Sequence, residues 1–198
     1  MKEVFFIFAT MCLFLANVSA QDSFRVKPDG VSDANGNNFI VIAVDGVSAD
    51  KIVSGLKTII KSKYPSPSLK IEEPDSTTLV VSDLITGFTR TDKARGSSFM
   101  LDLSYSIAFN IKEGKVKYNA PNFVIGSDVK YAIFAVVSQF KISMGIKGKR
   151  DLGNKDNKKF FIYDEKDKLV EKSTKEKLET LFNSYIPIVQ SVAKSQDW

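Results

Sequence analysis

Between Ser98 and Ile125 the chain reads SFMLDLSYSIAFNIKEGKVKYNAPNFVI, and few folds accept such a stretch. Phe99, Leu101, Leu103, Tyr105, Ile107, Phe109 and Ile111 alternate with Met100, Asp102, Ser104, Ser106, Ala108, Asn110 and Lys112. Successive side chains of a strand point to opposite faces. The pattern therefore predicts one long strand with an apolar, buried face and a small, mostly polar face. Glu113-Gly114 supplies the turn, with Gly114 at positive φ. A two-residue loop sets Ile111 opposite Val116, Phe109 opposite Tyr118 and Ile107 opposite Ala120, all on one face. Pro121 has no N–H to give a ladder, so it predicts an edge strand or a bulge.

Upstream, Gln21 to Asn38 is a polar leader with turn signals and a short strand expected near Phe24 to Lys27. Phe39 to Val44 is an apolar, β-branched run that suits a buried strand. Asp45-Gly46 breaks it, and an amphipathic helix follows. Ser48 is placed to cap that helix and Asp50 lies in its first turn, where the helix dipole favours a carboxylate. Ile52, Val53, Leu56, Ile59 and Ile60 form its apolar stripe, and YPSPS ends it because neither proline can continue. Leu69 to Glu73 and Thr77 to Phe88 read as strands, with a bulge expected at Ser82-Asp83. Thr89 to Ser98 is a polar loop.

Downstream, Ser127 to Met144 is apolar on nearly all sides. Its periodicity fits helix or strand, and it leaves open whether residues 127–146 are buried core or an exposed contact. Lys147 to Lys159 reads as a solvated basic loop, and KFFIYDEKDKLV as a short hairpin. Ser173 and Glu176 fit a capping box. Leu178, Leu181, Phe182, Tyr185, Val189 and Val192 make a helical stripe that Pro187 should kink or split. The order is α+β: a β-α-β-β-β-β core forming a curved antiparallel sheet, with a C-terminal helix packed on one face.

The chain opens with Lys2, an apolar run from Val4 to Ala16 and small residues at Ser19 and Ala20. The run is too short for a stable membrane span. It reads as a signal peptide cleaved after Ala20, so the protein is expected to be exported, periplasmic or secreted. Residues 39–198 then form a single domain behind the leader of residues 21–38. Cleavage removes Lys2 with Glu3, so the net charge stays at +5, and it removes Cys12, the one cysteine. There is no histidine. A mature chain without thiol or imidazole has no disulfide, no cysteine nucleophile and no Ser-His-Asp triad. No metal or cofactor is expected.

Several stretches invite a function. The strand–Asp-Gly–helix unit has the outline of a phosphate-binding turn. However, Gly46 is solitary, Asp45 and Asp50 carry the wrong sign, and Lys51 already belongs to the helix. Carboxylates can run hydrolysis without histidine. Of Glu72, Glu73, Asp75, Asp83 and Asp102, the pair Asp83 and Asp102 stands out because both lie within apolar strands; a hydrolase would hold them in one cleft at roughly 5–10 Å. The polar face of the long strand is the candidate binding surface: Asp102, Ser104, Ser106 and Asn110, extended by Lys117 and Asn119 on the return strand. Without arginines or intercalating aromatics it is not a nucleic-acid face.

Phe39 to Ile125 resembles a bacterial family known only as a domain of unknown function with a TATA-binding-protein-like fold, whose members are exported proteins of Gram-negative bacteria. The residues that carry the resemblance are FIVIAVDGVSADKIVSGLKTIIKSKY, the long strand with its KEGK hairpin, and the terminal helix ending in DW. The resemblance implies a fold and an address, and no reaction. The function expected is a non-enzymatic envelope domain that binds or scaffolds an envelope protein or surface ligand, without being an integral membrane protein. The alternatives are the carboxylate hydrolase and a carrier holding an apolar ligand between sheet and helices.

Overall fold

The alternating stretch is β6, Met100–Lys112, and the rest of the sheet is arranged around it. The computed structural model describes residues 22–93, 96–133 and 136–194. One edge of β6 pairs with β5, Thr78–Arg90, and β5 pairs in turn with β4, Lys70–Asp75. The other edge is divided. Phe109 to Lys112 pair with β7, Lys115–Asn119, whereas Asp102 to Ser106 pair with β8, Asn122–Ile133. The change of partner falls at Ala120-Pro121, where proline cannot continue the ladder. From this fork β7 leads to β3, Phe39–Ala43, and β8 leads to β9, Val136–Lys147, and then β10, Asn157–Tyr163.

The hairpin register is the one the alternation predicts at Phe109↔Tyr118 and Ile111↔Val116, with Gly114 at φ 71. The strand order β-α-β-β-β-β is also present, with α1, Ala49–Lys63, following β3. The sheet as a whole is mixed, not antiparallel, because β10 runs parallel to β9. The loop 148–156 carries the chain back along β9, so Asn157 re-enters beside Lys141 and Tyr163 ends beside Lys147. Ser127 to Met144, which the sequence leaves undecided, is strand in its described residues. Of the hairpin expected after Lys159, only β10 and a single bridge, Tyr163↔Leu169, are formed.

Two local expectations are corrected, and the expected split of the terminal helix is found at a slightly different place. Ser82 and Asp83 pair in register with Ser106 and Tyr105, and the irregularity lies between Ile85 and Thr89. Gly87, at φ 63, turns its N–H there onto the Asp102 carboxylate. Ser173 does not cap a helix. Val170 and Glu171 N–H groups are held by Ile162 O, and α2, Lys172–Asn183, begins with Ser173 already inside. The terminal helix is split at Ser184, ahead of Pro187. The proline thus sits in the first turn of α3, Tyr185–Lys194, where an N–H has no helical partner to lose.

The three helices among the described residues pack on one face of the sheet. Leu101, Leu103, Tyr105, Ile107, Phe109 and Ile111 of β6 are buried there against Ile52, Leu56 and Ile60 of α1 and against Leu178, Phe182, Tyr185 and Val189 of α2 and α3. The space between the layers is filled by rings. Phe109 and Tyr118 lie 5.0 Å apart, Phe24 and Tyr118 4.9 Å, and Tyr64 and Tyr185 5.1 Å. An apolar cargo would have to occupy this volume, which counts against the carrier reading. The hydroxyls are satisfied: Tyr105 and Tyr185 share a bond of 2.9 Å, and Tyr118 donates to Phe182 O at 2.8 Å. Burial pushes the Tyr105 phenol up to about 12, and Tyr118 and Tyr185 well above their ordinary range.

The leader is tied into this layer. β1, Arg25–Lys27, and β2, Gly30–Ser32, form a separate hairpin that sends Phe24 and Val26 into the core. Side chains serve as the second neighbour of β1. Asn183 Oδ1 accepts Phe24 N–H at 2.7 Å, and Asn183 Nδ2 donates to Phe24 O at 3.0 Å. Glu179 accepts Val26 N–H at 2.9 Å, and Tyr163 donates to Val26 O at 2.7 Å.

Candidate functional site

The face of the sheet opposite the helices carries the polar half of β6. Asp102, Ser104, Ser106 and Asn110 project there, joined by Lys117 and Asn119 of β7. All six residues singled out in the sequence share this face, but the fork divides them. Asp102 and Ser104 stand over the β8 arm and line a groove of about 450 Å³. Asn110 and Lys117 stand over the β7 arm and line a second depression of about 400 Å³ with Val41, Lys112 and Lys115. Ser106 and Asn119 are engaged between the two. Ser106 Oγ accepts from Ser82 Oγ at 3.2 Å, and Asn119 Nδ2 donates to Asn110 Oδ1 at 2.7 Å and to Ala108 O at 3.0 Å.

The first groove is the better built. Ser104 has Leu84 of β5 opposite it on one side and Val124 of β8 on the other, so one straight row crosses three strands. Leu84 is 45% exposed and Val124 69% exposed, high values for large apolar side chains. Asp102 lies beside the row, fixed by Gly87 N–H at 2.7 Å. Beyond the row, Asp128 of β8 faces Lys141 of β9 in register, next to Ser143 and Asn157. Gly126 forms the floor. A Cβ there would stand 2.8 Å from Ile142 O, so any side chain would force β8 and β9 apart. The groove thus offers an apolar strip, hydroxyl and amide groups, and one pair of opposite charges.

No family profile matches the chain, and no curated protein matches it in sequence. Two solved structures are similar to it. One is a TBP-like protein from Parabacteroides distasonis, 13% identical, with a TM-score of 0.43 over 79% of this chain and 90% of that one. The other is a DUF4468 family protein from Bacteroides ovatus, 12% identical, with a TM-score of 0.42 over 80% of this chain and 86% of that one.

The acidic pair considered for hydrolysis is not brought together. Asp83 pairs across with Tyr105 on the helix-covered side, whereas Asp102 projects from the open side. Asp83 is also engaged, accepting from Ser66 Oγ at 2.8 Å, Ser68 Oγ at 2.5 Å and Leu84 N–H at 2.8 Å. Glu73 is paired with Lys57, and Asp75 is held low in pKa by its bonds to Thr77. Among the described residues no group of three or more acidic side chains could hold a metal ion, and no helix is long and apolar enough to cross a membrane.

The groove residues that the sequence did not single out are Leu84, Val124, Asp128, Lys141, Ser143 and Asn157. The local pattern hid them: Val124 interrupts the alternation of Phe123 and Ile125, and only the pairing of β8 with β6 sets it beside Ser104. The apolar segment 127–144, open in the sequence between buried core and exposed contact, contributes to the core and to the groove. Ile142 and Met144 are core, and Lys141 and Ser143 belong to the groove.

Proposed function

We propose that this chain is an exported, non-enzymatic domain that binds or scaffolds a component of the cell envelope through the open sheet face. The row Leu84–Ser104–Val124 carries the reading. It places two exposed apolar side chains in one groove, rimmed by Asp102, Asp128 and Lys141, on a face that no helix of the described residues covers. Contiguous apolar surface with a polar rim is the usual make-up of a protein contact. The apolar run from Val4 to Ala16 with small residues at Ser19 and Ala20 supports export, and the neutral hydroxyl and amide groups suit recognition of a polypeptide better than chemistry on a substrate.

A photo-crosslinking residue at position 124, in the protein expressed from its own leader, tests this. The expected result is a discrete adduct from the envelope fraction that disappears when Leu84→Asp is added. Labelling no stronger than that from an exposed position on the helical face, such as Lys61, would sink the reading.

A further inference from the structure

The three arms of the sheet end at β4, β10 and β3, and two of these edges are guarded. β4 carries Lys70, Glu72, Glu73, Pro74 and Asp75, has an irregular register after Glu72, and is flanked by Lys57 of α1 on Glu73. Charge, proline and bulge are the usual means of keeping another strand off an edge. β10 is covered by its own flanking loops. Asp151 and Lys159 exchange backbone bonds of 3.1 and 2.9 Å, and Val170 N–H donates to Ile162 O at 2.8 Å.

β3 has no such device. Its sequence is FIVIA, without charge, proline or bulge, and Val41 is 53% exposed. Ala120 N–H donates to Asn38 O at 2.7 Å and Val44 N–H to Gly114 O at 2.8 Å, so the even positions turn their backbone toward β7. Phe39, Val41 and Ala43 therefore turn theirs outward, and among the described residues no strand other than β7 pairs with β3, so this outer edge has no neighbouring strand.

We propose that β3 pairs antiparallel with β3 of a second copy of this chain, joining two sheets into one across a two-fold axis at Val41. The outward residues are self-complementary. In the register that sets Val41 against its own counterpart, Phe39 falls opposite Ala43. Each of the three then exchanges both of its backbone bonds, and none of the positions engaged with β7 is disturbed. The bulky Phe39 meets the small Ala43, and no charged residue belongs to the seam itself; the nearest charge is Lys117, whose Nζ lies 4.3 Å over the Phe39 ring. The backbone of Lys117 of β7, in register with Val41, is separated from that of its counterpart by about 14 Å (three strand spacings), beyond the screening length at physiological salt, and Lys115 is farther still from its own because it is offset along the strand. This contact lies on the sheet's edge and leaves the groove around Ser104 free, so it is independent of the binding role proposed above.

A seam of one short strand is a small interface, so the dimer is expected to be weak and concentration-dependent. Sedimentation equilibrium on residues 21–198, from about 1 μM to about 1 mM, reads it. The expected result is a mass that rises from monomer toward dimer. Val41→Pro removes only an N–H that faces outward and blocks pairing. Val41→Lys sets two like charges opposite one another at the axis. Both should remain monomeric across the range, with circular dichroism spectra like that of the unaltered protein. If the proline variant fails to fold, the lysine variant decides. Lys70→Ala, on the β4 edge, should dimerise like the unaltered protein. A constant monomer mass, open-ended association, undiminished dimerisation of Val41→Lys, or loss of the dimer in Lys70→Ala would each overturn the proposal.

Discussion

The two faces of β6 are made from alternate residues of one strand and have opposite characters. From Leu101 to Ile111 the odd positions are fully or almost fully buried, and each touches a layer that is already full. The even positions carry Asp102, Ser104, Ser106, Ala108 and Asn110, which bond to the neighbouring strands β5 and β7 or stand in open grooves. The difference shows where each requirement resides. Stability is concentrated on the helix side, which leaves the open side for the contact proposed above. Substitution on one face should move the unfolding midpoint and leave binding intact, and substitution on the other should do the reverse.

The largest effect is expected at Phe109, whose ring lies against both Tyr118 and Tyr185. Phe109→Ala should cost about 3–5 kcal/mol, through lost burial and a cavity that rigid neighbours cannot close. That is a large part of the stability of an ordinary domain. Denaturant unfolding should show a lower midpoint with an unchanged slope. A loss below about 1 kcal/mol would mean that the ring layer is loosely packed.

Next comes the clasp that binds the N-terminal hairpin to the helix layer. Asn183→Ala leaves Phe24 N–H and C=O without partners beside a buried ring, which should cost about 1–3 kcal/mol. Hydrogen exchange should quicken first at Phe24 and Val26. Uniform quickening across β6 would show that hairpin and sheet unfold as one unit.

Tyr105 gives a smaller effect with a distinct pH signature. Tyr105→Phe removes its bond to Tyr185 and should cost about 1 kcal/mol at neutral pH. Burial raises the Tyr105 phenol to about 12, whereas in the unfolded chain it ionises near 10. In that window the folded state holds the proton and the unfolded state has released it. The contribution is therefore complete below pH 10 and is lost as pH rises toward 12. Stability should fall steeply over this interval, and the fall should be shallower in Tyr105→Phe. An unchanged alkaline slope would place the effect on the other tyrosines that burial raises, Tyr64, Tyr118, Tyr163 and Tyr185.

What the sequence reveals follows the same division. Period-two alternation and the Glu113-Gly114 turn fix β6, β7 and their register, because those signals are local. The α1 stripe is local too. The clasp is not: Phe24 and Asn183 are 159 positions apart, and nothing near either residue announces the other. The parallel entry of β10 depends on how the loop 148–156 returns, which composition does not encode. The candidate face was half legible. Its β6 residues follow from alternation, whereas Val124, Asp128 and Lys141 join only through pairing across the fork.

The smallest stability effect, and the sharpest test of the contrast, is expected on the open face. Ser104 is exposed and has apolar neighbours on both flanks, Leu84 and Val124, with no side-chain bond to lose to either. Ser104→Ala should therefore stay within about 0.5 kcal/mol of the unaltered protein. Val124→Asp should be equally mild, since that side chain is mostly in water already. Any contact made through the groove would nevertheless meet a charge at its centre, where the apolar strip gives no partner for it, so capture of an envelope component should be lost. Gly126→Ala provides the opposite control on the same face. It lies in the floor, where backbone crowds backbone, and it should lower stability and binding together. If Val124→Asp unfolded the protein as readily as Gly126→Ala, the open face would be part of the core's support and not a surface left free for a partner.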